Sequence, residues 1–173
     1  MRKIAIFAAA AALAVSMAGC SSVSLDREID IADGIAMKVP SSWVEDRNDY
    51  DIGDNHSGSA FFAPGENKTG MLVSWDVGGE PELPEESMRK TASNYNDMGS
   101  TDWEQELIEE RVVSGAECSV YRYSYTSSPT NDGSTLDFTH YIALIRGGDI
   151  ELDIDTFDDR NLLNAVLDTV TIP

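Results

Sequence analysis

Hydrophobic and polar positions alternate with a period of two over much of the chain beyond residue 28. Ile29 and Ile31, the pair Asp33-Gly34, and then Ile35, Met37 and Val39 set against Ala36 and Lys38 predict a β-hairpin with its apolar side chains on one face. Pro40-Ser41-Ser42-Trp43 ends the hairpin, and Glu45–Gly58, rich in Asp, Asn and Gly, reads as a surface loop. Ser59–Ala63 and Gly70–Val77 read as short strands, joined by a turn at Pro64-Gly65-Glu66-Asn67. The period then changes. Met88, Ala92, Tyr95 and Met98 fall at i, i+4, i+7 and i+10, behind Pro84, Glu85 and Glu86 and ahead of Gly99. That pattern predicts an amphipathic helix of about fourteen residues: proline suits its first position, acids suit the positive end of its dipole, and glycine suits its end.

Four further strands are predicted at Trp103–Val113, Cys118–Thr126, Leu136–Arg146 and Ile150–Thr156. Gly115, Asn131-Asp132-Gly133 and Gly147-Gly148-Asp149 separate them, so neighbours are antiparallel. Ile150, Leu152 and Ile154 point at a core, while Glu151, Asp153 and Asp155 form a solvated outer row. Asp158 is placed as the cap of a C-terminal helix whose apolar face is Leu162, Leu163, Val166 and Leu167, and Val170-Thr171-Ile172 finishes the chain. Strands, a helix, a four-stranded meander and a closing helix make an α+β fold: an antiparallel β-sheet flanked by helices. Residues 28–173 contain no repeat and no second linker, so they are expected to form a single globular domain.

The first residues follow a different logic. Arg2 and Lys3 precede an apolar run, Ile4–Val15, and the run leads to Ser16-Met17-Ala18-Gly19-Cys20. Twelve residues of helix reach roughly 18 Å, short of the ~30 Å hydrocarbon core of a bilayer, so this segment reads as an export signal and not a permanent span. Its end resembles the lipobox of bacterial lipoproteins, with Met17 in place of the usual leucine. The resemblance implies that residues 1–19 are removed and that the Cys20 thiol carries diacylglycerol. It also implies that residues 20–27 tether the domain to the outer side of a bacterial cell membrane, where two or more acyl chains suffice for stable anchoring. The alternative is an ordinary secretory signal with an incidental cysteine.

Charge narrows the choice of partners. The chain carries 12 basic and 31 acidic residues, a formal charge of −19, and losing Arg2 and Lys3 with the leader takes it to −21. So acidic a protein repels phosphate backbones and anionic headgroups, which leaves no nucleic-acid partner and no membrane contact beyond the lipid anchor.

Gly34-Ile35-Ala36-Met37-Lys38-Val39-Pro40-Ser41-Ser42-Trp43 is similar to the opening of the PsbP-like family: a glycine, a short strand, Pro, then Trp. The helix after the early strands, the meander and the closing helix with its apolar tail add to the likeness, which spans nearly all of residues 28–173. It implies an antiparallel sheet sandwiched by helices and a binding or accessory role. The family supplies no catalytic motif that maps onto these residues, and fold analogy goes no further.

Few of the remaining residues fall in patterns that carry chemistry. Asp49, Asp51 and Asp54, with Asn55 and His56, crowd one segment. Counted from Asp49, however, the sixth residue is Asp54 and the twelfth is Ala60, where an EF-hand needs Gly and Glu. These three are therefore weak calcium candidates beside the simpler reading of a solvated acidic loop. A hydrolase or metal-dependent enzyme would have to use His56 or His140 as its base. There is no G-x-S-x-G, P-loop or dinucleotide glycine pattern, so no cofactor is indicated, and His140 reads more simply as a satisfied, partly buried histidine. Cys118 lies in a strand with no basic residue before Arg122 and reads as a small buried hydrophobe. Tyr121, Tyr123 and Tyr125 fall on one side of a strand. They either pack beneath a helix or form an open aromatic platform, and Trp75 and Trp103 could extend either arrangement. These readings converge on a non-enzymatic surface module whose partner is an envelope protein, a peptide or a glycan.

Overall fold

The computed structural model describes residues 24–52, 55–65, 70–130 and 133–173. The candidate anchor Cys20, the leader and the candidate ligand Asp54 lie outside them. The fold is α+β, and every strand pairing among the described residues is antiparallel. β1 (Arg27–Ala32) and β2 (Ile35–Val39) form a separate hairpin. Asp33 and Gly34 take φ of 49° and 84°, the left-handed pair that a two-residue turn needs if its twist is to match the strands. Asp26, placed in the tether, is instead tied down: its carboxylate accepts from the Ser41 backbone N–H at 2.7 Å and the Ser41 hydroxyl at 3.0 Å. These bonds hold the Asp26 carboxyl below its usual pKa.

The main sheet has seven strands in the order β3-β4-β5-β9-β8-β7-β6. These are β3 (Val44–Ile52), β4 (Asn55–Ala63), β5 (Met71–Val77), β6 (Thr101–Val113), β7 (Ala116–Thr126), β8 (Asp137–Gly147) and β9 (Ile150–Phe157). Helix α1 (Pro84–Asp97) carries the chain from β5, inside the sheet, to β6 at its far edge. Helix α2 (Arg160–Leu167) follows β9. No described helix is long and apolar enough to cross a membrane.

Each face of the sheet has its own core. On one, the hairpin and α2 close over Ala60, Phe62, Val73, Trp75, Val120, Ile145, Leu152 and Ile154. All four predicted apolar residues of α2 are buried there. On the other, α1 lowers Met88 onto Tyr121, Tyr123, Tyr125, Ile142 and Leu144, with Tyr95, Trp103 and Phe138 packed around them. The end of α1 forms a Schellman motif: Ser100 N–H donates to the Tyr95 carbonyl, Gly99 N–H donates to that of Asn96, and Gly99 takes φ of 85°.

Two expectations are corrected. The segment Glu45–Gly58 is not a loop: β3 and β4 pair in unbroken register from Val44↔Ala63 to Ile52↔Asn55. Its polar composition hid the strand, because β3 has no apolar face to give a period-two signal. The cap of α2 is Asp159, which accepts from Leu162 N–H at 2.8 Å, while Asp158 takes a left-handed turn position at φ 50°.

Candidate functional site

The tyrosine ladder lies under α1. Relative exposures are 4% for Tyr121, 1% for Tyr123 and 9% for Tyr125, so these rings present no open platform. Tyr95, from α1, meets Tyr125 at a tilt with ring centroids 4.2 Å apart and stacks at 5.8 Å on Trp103, and Trp103 lies 4.8 Å from Tyr123. Trp75 does not extend this group. It faces the opposite core, 4% exposed, with the Arg47 guanidinium 4.8 Å above its ring. Period two decides this: Trp75 pairs with Leu152, whose side chain points toward α2.

Beneath Tyr95 is a buried polar triad. Strand register sets Tyr123 opposite His140 and His140 opposite Phe157. The Tyr123 hydroxyl donates to Asp155 Oδ2 at 2.5 Å, and His140 Nδ1 lies 3.0 Å from both that hydroxyl and Asp155 Oδ1. Burial, and then the adjoining Asp155 charge, raise the Tyr123 pKa far above the usual phenol range. That phenol therefore stays protonated and keeps donating. His140 is 0% exposed, stacked on Tyr123 at 4.6 Å and met by the tilted ring of Phe157 at 4.3 Å, with Nε2 buried and unpartnered. A substrate cannot reach it with α1 in place.

Asp155 therefore does not belong to a solvated row, and its neighbours do not either. Arg146 stands opposite Glu151 across the β8–β9 turn. Its guanidinium donates to Asp153 at 2.6 Å, to the Glu82 carbonyl at 2.8 Å and to the Ser87 hydroxyl at 3.0 Å, and it lies 3.4 Å from Glu151. Burial pushes the Asp153 carboxyl up to about 6 despite this partner. The acidic row is turned inward because α1 covers this side of β8 and β9, and Arg146 compensates its charge. The pairing was foreshadowed by the short spacing of Arg146 and Glu151 about Gly147-Gly148-Asp149.

The other candidates scatter. Asp49 accepts from Arg47 Nε at 2.8 Å; Asp51 pairs through its backbone with His56. His56 is half exposed, 3.8 Å from Asp33 and far along the chain from His140, on the side of the sheet that faces the hairpin. Among the described residues no three His, Cys, Asp or Glu side chains converge as metal ligands. Cys118 is buried on the α2 side, and burial raises its thiol to about 11.

What α1 leaves uncovered is the β3–β5 half of its own face. The in-register row Asn48–Ser59–Ser74 crosses three strands there and leads to Asp153 on β9, and beside it Asp46–Phe61–Leu72 leads to Asp155. Asp46, Asn48 and Leu72 are exposed, and Ser59, Phe61 and Ser74 partly so. At its corner, where β5 runs toward α1, lies a cavity of about 390 Å³ bordered by Asp76, Glu80, Glu82, Lys90, Asp149 and Glu151. Sequence reasoning missed this group because its members come from a strand, a linker, a helix and a hairpin turn, separated by more than seventy residues. Compared with the models of known protein families the chain matches none, and no curated protein shows significant similarity to it.

Proposed function

We propose that this chain is a non-enzymatic binding domain of the bacterial cell surface, anchored through acylated Cys20, with a PsbP-like sandwich of helices about its sheet. The observation that carries the reading is the division of one sheet face. Its β7–β8 part is packed beneath α1 and holds the only internal histidine among the described residues, and its β3–β5 half stays open and largely polar. A domain that hides its best acid–base cluster and exposes a ready hydrogen-bonding surface is suited to docking, not turnover. The partner, an envelope protein, peptide or glycan, would contact Asn48, Ser59, Ser74 and the Phe61–Leu72 pair.

The test is a photocrosslinking amino acid placed in turn at Ser59, at Leu72 and, as control, at Lys38 of β2, in the full chain on intact cells. A discrete adduct from Ser59 and Leu72 and none from Lys38 is expected. Equal labelling at all three positions, or none, refutes the face. Anchoring is tested separately: Cys20→Ser should move the protein out of the membrane fraction.

A further inference from the structure

We propose that the open half of the sheet docks a basic segment of a partner protein, with a lysine or arginine side chain entering the cavity at its corner. This rests on the reading of the β3–β5 half as the binding face, and adds the chemistry of what binds.

The argument is one of charge complementarity at an unpartnered sheet face. The cavity of about 390 Å³ has five carboxylates around it, from Asp76, Glu80, Glu82, Asp149 and Glu151, and a single ammonium, from Lys90. The local cations are already engaged. Lys90 is paired with Glu82, and Arg146 is bound by Asp153 and Glu151. Asp76 accepts from the Ser57 hydroxyl at 3.1 Å through Oδ2, while its Oδ1 is withdrawn from solvent and meets no hydrogen-bond donor. Like charges held together in this way repel, and an incoming cation relieves that repulsion while a neutral ligand does not. A single metal ion does not fit the geometry, since no three described ligating side chains converge. The carboxylates border a broad space, which suits an elongated organic cation on a flexible stem. The adjoining surface supplies the rest of the site: Asp46 adds a further negative charge, and Asn48, Ser59 and Ser74 offer both donors and acceptors to a peptide lying across the strands.

The probe is a fluorescent nonapeptide carrying three lysines, compared with the same peptide carrying three acetyl-lysines, titrated into the full chain in neutral detergent micelles. The lysine peptide should bind at least about fivefold more tightly and weaken as salt rises. The variant Asp76→Asn/Glu80→Gln/Asp149→Asn should lose at least about fivefold in affinity, the worth of one charge-assisted contact. The charge-matched control Glu104→Gln/Glu110→Gln/Glu117→Gln, on β6 and β7, should not. Glu82 and Glu151 are left intact because they hold Lys90 and Arg146, and thermal melts verify that both variants fold. Equal binding of the two peptides overturns the proposal. Equal losses in the two triple variants also overturn it, because they assign binding to the overall charge of −19. Displacement of the peptide by an equal concentration of free spermidine would overturn the assignment to a protein segment. Crosslinking at Ser59 and Leu72 that persists without lysine-peptide binding would leave the face standing and remove only its basic partner.

Discussion

Removing the Tyr123 hydroxyl separates the two contributions this side chain makes. In Tyr123→Phe the ring keeps its place against Trp103 at 4.8 Å and His140 at 4.6 Å. What is lost is the 2.5 Å donation to Asp155 Oδ2. Asp155 is 9% exposed and, among the described residues, meets Tyr123 and His140 and no arginine or lysine, so its carboxyl depends on those two. A hydrogen bond to a charged group contributes about 1.5–3 kcal/mol, and the loss should fall within that range. Tyr123→Ala removes the ring as well. Aromatic-to-alanine truncation in a packed core costs roughly 3–5 kcal/mol, so with the lost hydrogen bond the alanine variant should lose about 4.5–8 kcal/mol, comparable with the whole stability of a modest domain. Urea unfolding followed by circular dichroism measures both, the midpoint falling while the slope holds. The partnership itself is read from a double-mutant cycle: in an Asp155→Asn background, Tyr123→Phe should cost less than in the wild type. A phenylalanine variant as stable as wild type, or an alanine variant losing less than about 1 kcal/mol, would refute the account of Tyr123 as the support of a buried carboxylate.

Four further outcomes are expected. Cys118, with its thiol raised to about 11 by burial, should react slowly with a thiol reagent at neutral pH in a Cys20→Ser protein and quickly once denaturant is added; fast stoichiometric labelling of the native form would contradict its placement. Gly58→Ala would set a methyl 2.3 Å from Trp75 Cζ2 and 2.8 Å from the Asn48 carbonyl oxygen, so it should destabilise by about 1–3 kcal/mol in urea melts even though the backbone there is ordinary for any residue. Asp159→Ala should cost about 1 kcal/mol by freeing the Leu162 N–H, and Asp158→Ala should not reproduce that loss through a cap. Because burial raises Asp153 to about 6, the native state holds a proton there that the unfolded chain releases near its ordinary carboxyl value. Its contribution is therefore greatest below about pH 4 and is lost as pH rises through 6, by up to about 3 kcal/mol. Relative to Asp153→Asn, wild type should gain stability between pH 7 and pH 4, and a constant difference would argue against the shift.

Where one face of an element is apolar, the sequence by itself determined the structure. Ile29 through Val39 alternate about an Asp-Gly turn and form the hairpin; Leu162, Leu163, Val166 and Leu167 repeat with helical period and form α2; Pro84 and Gly99 bracket α1 because one needs no N–H and the other accepts positive φ. Local geometry sets these outcomes, and local geometry is written in adjacent residues. Tertiary structure decided everything that depends on which face a polar residue meets. β3 carries no apolar stripe, so only its ladder with β4 marks it as a strand. Asp155 alternates with Leu152 and Ile154 as a solvent-facing residue would, and is buried because α1 arrives from a distant part of the chain to cover that side. The same helix settled the tyrosines as core. By packing on β7 and β8 and the Trp103 end of β6, it also left the surface of β3–β5 open. Alternation assigns a side chain to a face, but whether that face is wet is fixed by the length and path of a connection elsewhere, and no periodicity within the strand records it.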